Sequence, residues 1–370
     1  MRAGLYIHFP FCRAKCPYCH FYSVADRDDL RLEWWEGLKR EADLVGREKF
    51  EIDTVYVGGG TPSLLSPDEI HALRELLAGR FWLEAGEWTL EANPGTVDAS
   101  LVRGWKEAGV TRLSIGVQSF DDGILRTLGR GYSAAEARDF FRLSRAAGFP
   151  AVGIDLMTGV PGESRRSAEE AVAETARLRP DHVSLYILEN VEGLPFEKVL
   201  RDRPVDDDAV ADNYRTFQAG LEAAGFRQYE ISNFAGPGKE CRHNLKYWRY
   251  EPFLGLGPSA CSHVGGRRWS NKQTLREWTE ALRRGERPYG EVTKLAPEAS
   301  AREALVFGLR LVEGVDIGAV GERYGVDLET ALAAEIAELA ADGWLIREGH
   351  CLRIPPDRFI LSNHVFSRLV

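Results

Sequence analysis

The chain has 370 residues, 44% of them hydrophobic and 28% charged, with a formal net charge of -9, a balance that permits one large domain and a smaller one. An acidic chain has no global positive field to hold nucleic acid or an anionic membrane surface. No stretch approaches the roughly 18 apolar residues of a membrane span, and Met1 to Gly4 run into the first apolar run without a leader, so no membrane span and a cytoplasmic setting are expected.

The first β-branched run is Leu5 to His8, and the loop after it holds Cys12, Cys16 and Cys19 in the spacing C-x3-C-x2-C. A helix is predicted over Leu30 to Val45, then a strand over Thr54 to Val57 that ends in Gly58-Gly59-Gly60-Thr61-Pro62. The alternation continues with a helix at Ser66 to Ala78, a strand at Trp88 to Ala92 and a helix at Ala99 to Ala108. It goes on with a strand at Arg112 to Val117, a helix at Ala134 to Ala147, a strand at Val152 to Met157, a helix at Ser167 to Leu178 and a strand at His182 to Leu188. Several helices open at Ser or Asp and close near Gly. Parallel strands joined by right-handed crossovers follow, and six βα units are fewer than the eight of a closed barrel. The expected fold class is α/β, a partial (β/α)6 barrel with a C-terminal mixed helical, winged-helix-like domain.

Polar and glycine-rich residues fall just beyond the predicted strand ends: Gly58 to Pro62, Glu91 to Pro94, Gln118 to Phe120, Asp155, and Glu189-Asn190. In barrel enzymes that rim carries the chemistry. Past Phe234 the texture changes, so the core domain is read as 1-234, a connecting segment as 235-295 and a C-terminal domain as 296-370. The last segment reads as helices at 301-312, 316-324 and 328-341 before a hairpin around Gly349. A winged-helix outline suggests DNA, but residues 296-370 hold twelve acidic residues against seven arginines and no lysine, which disfavours DNA binding.

Six cysteines, three of them within eight positions, do not make a disulfide framework, and a compact three-cysteine loop can direct three thiolates at one metal centre. A four-iron cluster held by three protein thiolates leaves one iron open, as reactive metal sites require. The competing reading is zinc on the same cysteines and His20. Cys241, Cys261 and Cys351 read as small buried hydrophobes. Glycines 58 to 60 let backbone amides approach a ligand, Glu91 and Asp155 can accept from ribose hydroxyls, and Gln118 and Arg130 can meet polar ligand edges, Arg130 as a carboxylate fork.

Tyr6-Ile-His-Phe-Pro-Phe-Cys12 with C-x3-C-x2-C, followed by Gly58-Gly-Gly-Thr-Pro62, resembles the radical S-adenosylmethionine superfamily, in its branch of oxygen-independent coproporphyrinogen dehydrogenases and related heme chaperones. The resemblance covers essentially the whole chain. It implies a radical-SAM type barrel with a 4Fe-4S cluster on Cys12, Cys16 and Cys19. It implies S-adenosylmethionine bound through Gly58, Gly59, Gly60, Thr61, Glu91, Gln118, Arg130 and Asp155, with Tyr6 and Tyr18 packed near the cluster and adenine. It also implies a reductant such as flavodoxin or ferredoxin.

Two departures count against dehydrogenase activity: His20-Phe21 follow Cys19 where the enzyme has a further cysteine one residue on, and only five residues precede Tyr6. Cys241-Arg-His243-Asn244-Leu-Lys-Tyr247-Trp248 contains H-N-x-x-Y-W, which resembles the heme-binding signature of the branch. His243 is then a candidate axial ligand, with Tyr247 and Trp248 as a flat wall for the macrocycle. The expected function is heme binding and transfer to acceptor proteins. The alternative is decarboxylation of a porphyrinogen or another radical reaction.

Overall fold

The structure is a computed structural model that describes residues 1-46, 50-95 and 97-370. Six parallel strands alternate with helices: β1 (Arg2–Phe9), α1 (Asp28–Gly46), β2 (Glu51–Gly59), α2 (Pro67–Ala78), β3 (Trp82–Ala92), α3 (Ala99–Glu107), β4 (Arg112–Gln118), α4 (Asp122–Thr127), α5 (Ala134–Ala146), β5 (Ala151–Thr158), α6 (Arg165–Leu178) and β6 (His182–Ile187). The helix starts are written locally. Ser66 with Glu69, and Ser133 with Glu136, close reciprocal capping boxes, and Asp98 accepts from two backbone amides of α3.

Each parallel strand alternates sharply. Leu5, Ile7 and Phe9 on β1, Val55 and Val57 on β2, Leu113, Ile115 and Val117 on β4, and Ile154 and Leu156 on β5 are buried in one large core with the helices. The residues between them are Tyr6, His8, Tyr56, Glu91, Ser114, Asp155, Ser184 and Tyr186. A parallel sheet covered on both faces by apolar layers would show continuous apolar runs. Here one face packs under helices and the other is a polar lumen.

The sheet runs on past both ends of this barrel. Beyond β6 lie α7 (Phe196–Asp202), α8 (Asp207–Ala223) and the antiparallel strands β7 (Arg227–Glu230) and β8 (Asn233–Ala235). After α9 (Arg242–Trp248), β9 (Phe253–Leu256) pairs parallel with the far side of β1, Gly4 opposite Phe253 and Ile7 opposite Leu256. Strands β10 (Cys261–Val264), β11 (Arg267–Asn271) and, after α10 (Leu275–Arg283), β12 (Tyr289–Lys294) extend that side antiparallel. The order is β12-β11-β10-β9-β1-β2-β3-β4-β5-β6-β8-β7, a single twelve-stranded open sheet. The partial barrel of the sequence reading is therefore present, but the sheet does not stop at Phe234. The segment read as a connector supplies four short strands, and the first of them, β9, is interrupted in pattern by Gly255, where a Cβ would lie 2.3 Å from the Cys261 carbonyl oxygen.

Residues 301-369 gather around a core of their own that includes Leu305, Leu309, Ile317, Ile336, Leu352 and Phe359. Helices α11 (Pro297–Gly308) and α12 (Ile317–Tyr324) and two short helices precede the hairpin Ile346–Glu348 with Cys351–Arg353, to which Val315–Asp316 adds a third strand. This is a winged-helix outline. Of the three scattered cysteines, Cys241 is buried as expected, while Cys261 is exposed and Cys351 half-buried, because both lie on short strands at the surface.

The extension is fastened to the barrel by one buried carboxylate. Glu41 of α1 accepts from the Gly257 amide at 2.8 Å, from Asn271 Nδ2 at 2.6 Å and from Trp278 Nε1 at 3.0 Å. Burial pushes its pKa up to about 8 against those three donors. A raised acid pKa makes the folded state hold a proton that the unfolded state has released, so stability falls as pH rises from the unfolded value toward the folded one. Chemical denaturation from about pH 5 to about pH 8 should show that decline, flattened in Glu41→Gln. Glu41→Ala should cost about 2 to 4 kcal/mol at neutral pH, because three buried donors lose their acceptor.

Candidate functional site

The cysteine loop is clipped at its base. Phe11–Cys12 pairs with Val24–Ala25, and the Asp26 amide donates to the Cys12 carbonyl at 3.1 Å. Inside the loop the Cys19 amide turns back on the Cys16 carbonyl at 3.1 Å, and Pro17 accepts from the Phe196 amide of α7 at 3.2 Å. All three sulfurs receive donors: Thr61 Oγ1 reaches Cys12 Sγ at 3.3 Å, Arg130 Nη1 reaches Cys16 Sγ at 3.1 Å, and the Phe21 amide bonds to Cys19. Donors aimed at sulfur suit thiolate ligands, since they stabilise the charged form. Burial acts the other way and raises the thiol pKa of Cys12 and Cys19. His20 is exposed and its ring packs on Phe21 at 4.5 Å. Among the described residues no three His, Cys, Asp or Glu side chains close on a single-ion position.

The glycine loop is pressed against this one. The Gly60 amide donates to the Phe9 carbonyl and the Thr61 amide to the Phe11 carbonyl, both at 2.8 Å. Gly59 has φ of 111°, and a Cβ there would lie 2.6 to 2.9 Å from three ring atoms of His8. At Gly58 a Cβ would come within 3.0 Å of the Glu91 carboxyl. The three glycines therefore form a bare-backbone cradle that lies too close to His8, Glu91 and the Phe9–Phe11 backbone to admit any side chain.

Glu91 accepts from Tyr56 OH at 2.9 Å and from the Gly59 amide at 3.1 Å. Burial, reinforced by Asp155, raises its pKa to about 7. Asp155 accepts from Ser114 Oγ at 3.0 Å, and burial raises it to about 6. Arg130 ties three strand ends together: besides Cys16 it donates to Asn93 Oδ1 at 2.6 Å, to Tyr132 OH at 2.9 Å and to Tyr18 OH at 3.4 Å. Gln118 ends β4 with a left-handed φ of 64°. All of these lie at or just inside one rim. The sequence reading put Glu91 to Pro94, Gln118 and Asp155 at this rim, but did not name His8, Tyr56 or Tyr132 as members of the site. For His8 and Tyr56 the available signal was period two, since each stands at an inward position of an otherwise apolar strand, whereas Tyr132 lies in the loop before α5 and carries no such pattern.

His8 has a settled role. Its Nε2 lies 2.9 Å from the Tyr22 carbonyl, which can only accept, so Nε2 carries the proton and Nδ1 accepts from Tyr6 OH at 3.1 Å. Burial lowers its pKa to about 4, so it stays neutral.

His243 departs from its expected place. It lies inside the barrel with no exposed surface, its Nδ1 2.9 Å from Thr54 Oγ1 and its Nε2 2.9 Å from Tyr247 OH. Burial lowers its pKa to about 3. With both nitrogens hydrogen-bonded and the ring enclosed, His243 bridges Thr54 of β2 and Tyr247 of its own helix. Helix α9 closes the lower end of the lumen: Glu87 of β3 accepts from the His243 amide at 3.0 Å and Lys246 pairs with Asp53 at 2.9 Å. Above His243 stand Tyr56 at 5.3 Å and then Tyr6, stacked on Tyr56 at 6.1 Å. Tyr247 is packed edge-on against Phe253, and Trp248 lies near parallel to Phe307 of α11. These rings are held by neighbours and do not form an open wall.

Comparisons with known proteins bear on this arrangement. The model of the radical SAM superfamily matches residues 6-174, and that of the HemN C-terminal domain matches residues 295-357. The heme chaperone HemW of Bacillus subtilis is 30% identical over 369 residues, 98% of this chain and 97% of the relative. HemW of Escherichia coli is 39% identical over 265 residues, 70% of each chain. The solved structure of the Escherichia coli radical SAM enzyme coproporphyrinogen III oxidase, HemN, superposes with a TM-score of 0.88 at 20% identity, covering 100% of this chain and 90% of that one. Among the described residues no helix is long and apolar enough to cross a membrane.

His243→Ala should lower stability by about 2 to 3 kcal/mol in denaturant titrations, since it removes two buried hydrogen bonds and opens a void beneath Tyr56. Gly59→Ala should be at least as damaging to the loop, because it adds backbone strain and a clash with His8.

Proposed function

The chain belongs to the HemW family of the radical S-adenosylmethionine superfamily, and from that premise we propose that it binds heme and delivers it to acceptor proteins while carrying a 4Fe-4S cluster and S-adenosylmethionine. The observation that carries this reading is similarity to heme chaperones along nearly the whole chain, 30% identity over 98% of its length. Heme or another porphyrin is the small-molecule partner, heme proteins are the acceptors, and a flavodoxin or ferredoxin is the reductant. We place the protein in the cytoplasm.

Cys12, Cys16 and Cys19 would hold the cluster, with Thr61 and Arg130 donating to two of the sulfurs. When bound, the cluster and S-adenosylmethionine supply a low-potential electron and a cleavable sulfonium. The residues around them orient and enclose. The cradle of Gly58, Gly59 and Gly60 suits the amino acid end of the cofactor, and Glu91 and Asp155 suit its ribose hydroxyls. Gln118, Tyr6 and Tyr18 border the same space. Arg130 is held by Asn93, Tyr132 and Tyr18, which keeps its guanidinium directed at the cysteine loop.

A second reading, radical decarboxylation of coproporphyrinogen, is favoured by the fold shared with coproporphyrinogen III oxidase. Against it stands the loop after Cys19, where His20 and Phe21 lie at the surface. One reconstituted sample separates the two. Heme titration should give saturable binding, and coproporphyrinogen III with S-adenosylmethionine and reductant should give no protoporphyrinogen. Turnover without heme binding would favour the enzyme.

Two further outcomes test the cofactor assignment. Cys16→Ala should abolish iron uptake and leave the far-ultraviolet circular dichroism unchanged, since the loop is only half-buried. S-adenosylmethionine affinity should rise with pH through about 6 to about 7, the range in which Asp155 and Glu91 ionise and become full acceptors. Glu91→Gln should weaken binding at least tenfold at pH 8 and flatten the upper part of that profile.

A further inference from the structure

The outer edge of the cysteine loop carries charges that the cofactor reading does not use. Residues 10-25 hold Arg13 and Lys15 and no carboxylate, in a chain whose net charge is -9. Arg13, Ala14, Lys15, His20 and Phe21 are exposed, whereas the three cysteines are half-buried. Each cysteine is therefore bonded directly to an exposed neighbour: Cys12 to Arg13, Cys16 to Lys15 and Cys19 to His20. Electron transfer weakens steeply with distance, so this edge is the short way in to a cluster on these thiols. Neither Arg13 nor Lys15 makes a hydrogen bond or ion pair with another described residue. Several arginines elsewhere are paired, as Arg31 is with Asp26, Arg138 with Glu174 and Arg268 with Glu303.

Two helices flank the loop and continue the pattern. A Cβ on Gly129, just past α4, would lie 2.8 Å from Pro17, and on the other side Phe196 opens α7 with its ring edge-on to Tyr18 at 6.1 Å. Between α4 and the end of α7 lies a cavity of about 430 Å³ with Arg126 and Arg203 in its lining. Arg126 is exposed and unpaired among the described residues, while Arg203 donates only to the Pro161 carbonyl, at 3.1 Å. Carboxylates are present, but most are turned to the backbone: Asp121 accepts from the Gly123 and Ile124 amides, Asp122 from the Ala134 amide and Glu197 from the Gly193 amide. Residues 196-203 still hold Lys198, Arg201 and Arg203 against Glu197 and Asp202.

At the centre of the edge stands Phe21, 53% exposed. An exposed ring with unpaired cations around it suits an acidic protein, which would find apolar contact in the middle and opposite charge at the rim. Resting on the reading above that a flavodoxin or ferredoxin is the reductant, we propose that Arg13, Lys15 and Phe21, with Arg126 and Arg203 beside them, form the docking face for that acidic one-electron carrier. One electron passes from the reduced carrier to the oxidised cluster, and no atom is transferred. The negative charge carried by the rest of the chain disfavours other faces, so the same charges attract the carrier and orient it.

The test uses the full chain with its cluster reconstituted and two reductants, flavodoxin hydroquinone and photoreduced 5-deazariboflavin, a small molecule without the carrier's acidic surface. Bleaching of the cluster is followed by stopped flow, and the affinity for oxidised flavodoxin is measured separately. With flavodoxin the wild-type rate should fall at least tenfold between about 0.01 M and about 0.5 M salt. Arg13→Glu with Lys15→Glu should slow reduction by flavodoxin and weaken its binding at least tenfold, with iron content and the deazariboflavin rate unchanged. Arg126→Glu should do the same to a smaller degree. Arg103→Glu with Lys106→Glu, an equal change of charge on α3, should leave both rates near wild type. Flavodoxin affinity unchanged in the loop variant, or lowered equally by the α3 variant, would overturn the proposal and leave the reductant reading standing. Wild type reduced by deazariboflavin but by neither flavodoxin nor ferredoxin would remove the reductant reading itself, and this inference with it.

Discussion

The register of β1 against β2 is the constraint on which the rest depends. Because Phe9 lies opposite Gly59, the two strands end side by side, and the loops leaving them have to touch. The touching is specific: amides of Gly60 and Thr61 bond to carbonyls of Phe9 and Phe11, and the Thr61 hydroxyl reaches Cys12 sulfur. A shift by one residue would turn Leu5 and Ile7 into the lumen and Tyr6 and His8 into the helix layer. The burial of Leu5, Ile7 and Phe9 under α1 therefore fixes which residues meet at the rim.

From that rim a column of aromatic side chains descends the lumen. Glu91 is bonded to Tyr56, Tyr56 lies on His243, and His243 is bonded to Tyr247 in the helix that closes the bottom. The same helix ends at Trp248, which rests against Phe307 and Arg310 of the C-terminal segment. A physical path of packed and bonded groups thus joins the candidate cofactor rim to the C-terminal domain, through the H-N-x-x-Y-W sequence. That gives the motif a structural reason to exist that does not require its histidine to touch iron. Glu41, buried among Gly257, Asn271 and Trp278, holds the opposite flank of the sheet in place.

Much of this was legible in the sequence because the barrel strands alternate so cleanly. Runs such as Leu5 to His8 and Arg112 to Val117 carried both the strand and, through their polar members, the lumen. The cysteine spacing and the glycine triplet placed the rim loops, and Glu91, Gln118, Arg130 and Asp155 all came to the expected end of the barrel. The extension was not legible for a definite reason. Strands of four to six residues, β9 with Gly255 inside it, carry too little pattern, and β9 pairs along the free edge of β1. The surroundings of His243 were not legible either, because sequence gives the residue type but not its burial, and an inward turn of α9 engages both its nitrogens.

The measurement that tests the central claim most directly is electron paramagnetic resonance of the anaerobically reconstituted, reduced protein, with and without S-adenosylmethionine. The central claim is that three cysteines at this rim leave one iron of a 4Fe-4S cluster open beside the glycine cradle. It predicts a reduced-cluster spectrum whose g values shift on addition of S-adenosylmethionine, with about four irons per chain. A spectrum indifferent to S-adenosylmethionine, or a chain that takes up one zinc and no iron, would contradict it.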